Sequence, residues 1–294
     1  MLILLIYISK CKGFTDIKMN NIIKNTYYVD ENTVMIFPKK IWTYWHDKNI
    51  GPVIGKCIDN WKKFNPDFEI IVLNQENYTD YIKNVDINKY PAIRFHQRAS
   101  DFLRIHALNQ HGGIWLDAST ILTKNLGWII NKFNEGKYEF IGYRIVSKET
   151  KPEYPVIENW CMAAPSGSRF IKLWLKEFLR LNLFITDTDY LADIVNRSVD
   201  IQKISQFGYL AMHYAAQYVL QKQMTIEEIN TKLYLLKAEH GPFKYLHLNG
   251  WEQKKSIEAL CANKDLQTDI IKFRKHEREY IEANENANCV FNLS

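Results

Sequence analysis

The stretch that decides the fold is Ala99–Ser119, ASDFLRIHALNQHGGIWLDAS. A helix predicted from about Ile93 to Gln110 carries Phe102, Leu103, Ile105, Ala107 and Leu108 on several sides, so it is expected to be buried. His111-Gly112-Gly113 ends it, because glycine adopts the backbone conformations at which helices stop. Ile114-Trp115-Leu116 then reads as a short apolar strand that delivers Asp117 at its carboxyl end. Ligands of open α/β sheets bind beyond that end of a strand. Asp117 is therefore either a ligand for a metal or a sugar, or a strand-end acid capping a turn with Ser119 and Thr120. Asp101 and Arg104 lie three residues apart, on neighbouring helix faces. Charges on a buried helix must be paired or serve a ligand. These two either brace one another or meet a substrate.

Upstream, Ile36–His46 follows the strand signal of Ile, Trp and Tyr. Val53, Ile54, Cys57, Ile58, Trp61 and Phe64 recur at helical spacing until Asn65-Pro66-Asp67 breaks the run. Phe68–Leu73 reads as a buried strand. Strand, helix, strand is the opening of a parallel α/β sheet. Downstream, strands are predicted at Tyr138–Val146, Val156–Ala164 and Lys232–Leu236. Helices are predicted from Ser168 to about Leu183 and over Tyr209–Gln221. Asp187 and Asp189 fall in a predicted loop, as solvated acids or acceptor-side groups. Three parts follow: an N-terminal leader over 1–35, polar and Asn-rich from residue 13, a main α/β domain over 36–250, and a charged helical extension over 251–294.

The composition limits the function. The chain of 294 residues is 47% hydrophobic and 24% charged, enough for a full core without staples. A net charge of +5 is too small and dispersed to argue for nucleic acid. Met1–Ile8 is apolar, but a bilayer span needs about 20 such residues. No transmembrane span is expected, and peripheral membrane contact stays open. The five cysteines form no CxxC pair, so reduced thiols in a cytoplasmic protein are expected.

Four stretches together resemble glycosyltransferases with a DXD sugar-binding region, of the capsular-polysaccharide-synthesis type and family 32. Phe37–Trp45 (FPKKIWTYW) is similar to their opening strand, and Cys57–Trp61 with Asn65–Glu69 to the segment that follows. Ala99–Arg104 matches their A-S-D-x-x-R helix, and Gly112–Ser119 their GG-strand ending in the acidic motif. The resemblance implies a GT-A-like, Rossmann-like α/β domain with a mixed, mostly parallel sheet and added C-terminal helices.

It also implies roles. Trp45 would stack on the nucleotide base. Ser100, Asp101 and Arg104 would touch the ribose, sugar hydroxyls and diphosphate of a nucleotide-sugar donor. Asp117 would help hold a divalent cation, Mn²⁺ or Mg²⁺, with Ser119 standing where the motif's second acid is expected. Asn159 would meet sugar or acceptor. His240, in the His240-Gly241-Pro242 turn, or His247 would complete the metal shell, and Trp251 is a candidate loop aromatic over the donor. Asp117, Asp101 and Arg104 are the expected catalytic set. The implied reaction moves a sugar, UDP-linked in the leading reading, to a hydroxyl of a glycan or glycoprotein, with retention of configuration. A fold-retaining glycan-binding scaffold is the alternative, and a two-metal phosphate-ester hydrolase the third reading. The hydrolase would need clustered carboxylates, and Asp117 has no acidic neighbour in sequence.

Overall fold

The computed structural model describes residues 37–136, 138–205, 208–262 and 267–293. The leader predicted over 1–35, with Cys11, lies outside them.

Strand β1, Lys40–Tyr44, is followed by helix α1, Pro52–Phe64, and strand β2, Glu69–Leu73. Proline at the first position of α1 suits a helix start, where its missing N–H has no partner to lose. Val53, Ile54, Cys57, Ile58 and Trp61 form its buried stripe. Helix α2, His96–His111, leads directly into β3, Gly113–Leu116. Ala99 and Asp101–Leu108 of α2 are all buried, as expected for a helix apolar on most sides. The glycine pair between α2 and β3 has a steric cause. Gly112 and Gly113 both have positive φ, and a Cβ on Gly113 would lie 2.8 Å from the Lys40 carbonyl oxygen.

The chain continues through β4, Thr120–Leu122; α3, Gly127–Gly136; β5, Phe140–Arg144; and β6, Ile157–Ala164. Then come α4, Arg169–Leu179; α5, Asp187–Asn196; α6, Ala211–Lys222; α7, Ile226–Lys232; and β7, Leu233–Lys237. Ser168 caps α4 by accepting from the Ile171 N–H. The acids read as a loop instead open α5. Asp189 closes a capping box with Thr186, and Asp187 pairs with buried Arg98 at 3.0 Å.

Six strands form one sheet in the order β2-β1-β3-β6-β5-β7. Neighbours pair in parallel except β6, which runs antiparallel to both β3 and β5. The sheet is mixed and mostly parallel, as predicted. Strand alternation divides two cores: Trp42 and Trp115 enter the one that contains α2, α4 and α6, while Ile41 and Ile114 enter the one that contains α1.

The segment read as a helical extension does more than cover the outside. Besides α8, Gln253–Ala262, and α9, Lys275–Ala283, it supplies a strand β8, Ile270–Lys272. This strand pairs antiparallel with β4, placing Thr120 opposite Lys272. Ile257, Leu260, Ile271, Phe273 and Val290 share a core cluster with Ile41, Ile58 and Leu116. Helix α1 fixes β4 for this pairing: Asn60 exchanges two hydrogen bonds with the Leu122 backbone, and the Trp61 indole donates to the Thr120 carbonyl at 2.7 Å.

The cysteines correct one expectation. Cys261 and Cys289 are joined in a disulfide, with Cα atoms 5.5 Å apart. Cys57 and Cys161 are free and buried. Burial pushes the Cys57 thiol up to about 12, which keeps it un-ionised. Among the described residues, no helix is long and apolar enough to cross a membrane.

Candidate functional site

A cleft of about 560 Å³ opens at the carboxyl ends of β1 and β3. That size suits a small-molecule site. Of the residues singled out in the sequence, Trp45, Ser100, Asp101, Arg104, Asp117, Ser119 and Asn159 all line it.

Arg104 organises one wall. Its guanidinium donates to the Asn159 carbonyl at 2.7 Å, to Ser100 Oγ at 3.1 Å and to Asp117 Oδ1 at 3.1 Å. It also lies over the Trp115 ring. Asp101 accepts from the Asn159 amide at 3.1 Å and pairs with Arg98 at 3.4 Å and with Arg104 at 3.6 Å. Burial raises the Asp101 carboxyl above its ordinary range, against the pull of Arg104 and Arg98. The helix ion pair thus belongs to a larger network: Arg104 braces Asp101 and reaches the strand-end acid as well.

Asp117 sits at the cleft floor between two cations. Oδ1 accepts from Arg104 and from the Trp115 indole at 3.2 Å, and Oδ2 accepts from Lys272 Nζ at 3.1 Å. Burial alone would raise this carboxyl, but Lys272 and Arg104 outweigh it and hold it below the ordinary carboxylate range. Lys272 is 8% exposed and also donates to Ser119 Oγ at 2.8 Å. The Ser119 hydroxyl in turn donates to the Phe273 carbonyl at 2.8 Å.

His240 and His247 are exposed and neither lines the cleft, so a late histidine in the metal shell is corrected. Its neighbour Glu239 is the buried member of that turn, accepting from the backbone N–H groups of Val146 and Ser147. The remaining pair fits a divalent cation poorly. Asp117 and Ser119 already share one ammonium, and the other Asp117 oxygen is taken by Arg104 and Trp115. Among the described residues, no group of three or more His, Cys, Asp or Glu side chains could hold a metal ion.

Several cleft residues were not found by the sequence reading. Lys272, Arg274, Lys275 and Arg278 come from the C-terminal segment, and with Arg104 and Lys148 they face Asp47, Asp101, Asp117 and Glu158. The balance is positive. Arg278 has no carboxylate partner among the described residues, and its guanidinium lies 5.4 Å from the Trp45 ring centroid. Arg274 is held by Glu277 at 2.7 Å and lies over Trp251, so that aromatic touches the cleft through Arg274. Glu158 precedes Asn159 on β6, and burial, with Glu239 nearby, raises its carboxyl to about 7. His213 lines the cleft too. Burial, with Arg104 and Arg98 nearby, lowers its pKa to about 4, so the ring is neutral at physiological pH.

A model of the capsular polysaccharide synthesis protein family matches residues 9–276. The chain belongs to this family. As a member, it is 31% identical over 160 residues to the O-glycosyltransferase braB of Annulohypoxylon truncatum, covering 49% of this chain and 37% of the relative. It is 25% identical over 161 residues to the O-glycosyltransferase PaGT of Phomopsis amygdali, covering 49% and 38%. The chain thus spans less than two fifths of the length of these curated relatives. Among solved structures, it aligns with the PaToxG glycosyltransferase at a TM-score of 0.40 and 14% identity, over 87% and 86% of the two chains. It aligns with the galactosyltransferase LgtC at 0.42 and 10%, over 85% and 95%.

Proposed function

We propose that this family member is a glycosyltransferase that binds a nucleoside diphosphate-sugar in the cleft and passes the sugar to a hydroxyl of a glycan or glycoprotein. The single observation that carries this is the arrangement at the cleft floor, where Asp117 is flanked by Arg104 and Lys272. Curated relatives named as O-glycosyltransferases support the same reaction class.

The chemistry follows from the charges. The bond between the anomeric carbon and the β-phosphate oxygen breaks, and the acceptor oxygen bonds to that carbon. The diphosphate leaves with its electron pair, and the hydroxyl proton must be accepted. Fixed positive groups that meet the growing anionic charge lower the barrier; losing one such contact typically costs about 2.7–4 kcal/mol. Arg104 offers a planar fork for phosphate oxygens, and Trp45, beneath Arg278, offers a face for a base. Glu158 is the cleft carboxyl poised to exchange a proton near neutrality. UDP as the nucleotide and retention of configuration remain parts of this proposal. The Cys261–Cys289 bond supports an oxidising compartment over the cytoplasm.

The test is a thermal-shift screen of nucleotide sugars, followed by assay of free nucleoside diphosphate. One donor should stabilise the protein and be consumed, and Asp117→Ala should abolish release while the circular dichroism spectrum is kept. Glycan binding with no nucleotide effect would instead identify a scaffold.

A further inference from the structure

Resting on the nucleotide-sugar reading above, we propose that Lys272, rather than a divalent cation, supplies the fixed positive charge that meets the diphosphate in this cleft. The place a metal would take is between the Asp117 carboxylate and the side chain at 119. Lys272 Nζ lies 3.1 Å from Asp117 Oδ2 and 2.8 Å from Ser119 Oγ. An ammonium has three donors. Two are spent on these oxygens, and the third is left for an acceptor in the cleft that Lys272 lines.

Ser119 is matched to this arrangement. Its one hydrogen goes to the Phe273 carbonyl, so its lone pairs face the ammonium. An aspartate here would set a carboxylate against that carbonyl with no proton to share. A hydroxyl at the motif's second acidic position therefore suits the Phe273 carbonyl better than a carboxylate would. The lysine is also held in register. Thr120 lies opposite Lys272, and the Phe273 N–H donates to the Ser119 carbonyl at 2.9 Å. A Mn²⁺ or Mg²⁺ ion binds carboxylate oxygen at about 2.0–2.2 Å. It would have to displace the ammonium and leave it buried beside a dication. Arg278, which has no carboxylate partner among the described residues, adds a second cation to the lining of the same cleft.

The experiment is calorimetric binding of UDP and of GDP to the full chain, in EDTA and in Mn²⁺, with Lys272→Met and Lys272→Arg alongside. One nucleotide should bind with the same affinity, within about twofold, in both buffers. Lys272→Met should weaken it at least tenfold in EDTA, and Lys272→Arg should restore most of it. Binding by the unmodified protein only in Mn²⁺ would overturn the inference and leave the nucleotide reading standing. So would unchanged binding by Lys272→Met in EDTA. Absence of binding in both buffers would remove the UDP- and GDP-sugar readings and the inference that rests on them together. The unmodified protein alone decides the metal question, so a poorly folding variant does not blunt the test.

Discussion

Replacing Glu158 with glutamine should make the protein more stable, by an amount that grows as pH rises above 4.5 and is complete above about 7. Glu158 lines the cleft, and burial, reinforced by Glu239, lifts its carboxyl to about 7 from an ordinary 4.5, although Lys272 pulls the other way. The folded state therefore holds a proton that the unfolded chain releases. Stability falls as pH rises between about 4.5 and 7, and is flat above that. The gap between the two values, at about 1.4 kcal/mol per pH unit, sets a ceiling of about 3 kcal/mol. Glu158 is partly exposed, which trims the expected figure to about 2 kcal/mol. Urea unfolding at pH 8.5 should show Glu158→Gln more stable than the unmodified protein by that amount. At pH 4.5 the two should agree within about 0.5 kcal/mol. A gap of equal size at both pH values, or a less stable variant at pH 8.5, would refute the account of this carboxyl.

Asp117→Asn removes the counter-charge of Arg104 and Lys272 and should cost about 2 kcal/mol at pH 7. Because the Asp117 pKa is depressed, that difference should vanish as pH falls below about 3.8, which urea titrations across pH will show. Gly113→Ala places a Cβ 2.8 Å from the Lys40 carbonyl at a φ of +102° and should cost about 2–3 kcal/mol by the same assay. Cys289→Ser opens a loop of 28 residues, worth about 3.5 kcal/mol on the chain-entropy account. The melting temperature should fall with this variant or with reductant; no change in either would argue against the bond. Lys272, Arg274 and Arg278 lie inside that loop, so UDP affinity should weaken as well.

Half of the cleft was legible in the sequence because it is built from contiguous chain. Helix, glycine pair and strand run from Asp101 to Asp117 without interruption, and local periodicity is enough to place both charges. Trp45 was legible as the end of a strand rich in aromatics. The other wall was not, because it depends on a pairing between two three-residue strands far apart in sequence. Ile270-Ile271-Lys272-Phe273 does carry a signal, a lysine closing a β-branched apolar run. Nothing local says that Thr120 is its partner. Glu158 is a similar case: Asn159 drew attention on β6, and the acid beside it became noticeable only once Lys272 and Asp117 were close by. The Cys261–Cys289 pair gave no sign at all, since a separation of 28 positions matches no short motif.

The β4–β8 pairing also bears on biosynthesis. The contact between Lys272 and Asp117 joins positions 155 apart along the chain. At ribosomal speeds of about 5–20 residues per second, the acid emerges roughly 8–30 s before its lysine. During that interval the nascent protein carries a half-built cavity whose carboxylate has Arg104 and the Trp115 indole as partners but no lysine. Competence is therefore conferred late, when the short β4–β8 ribbon can form.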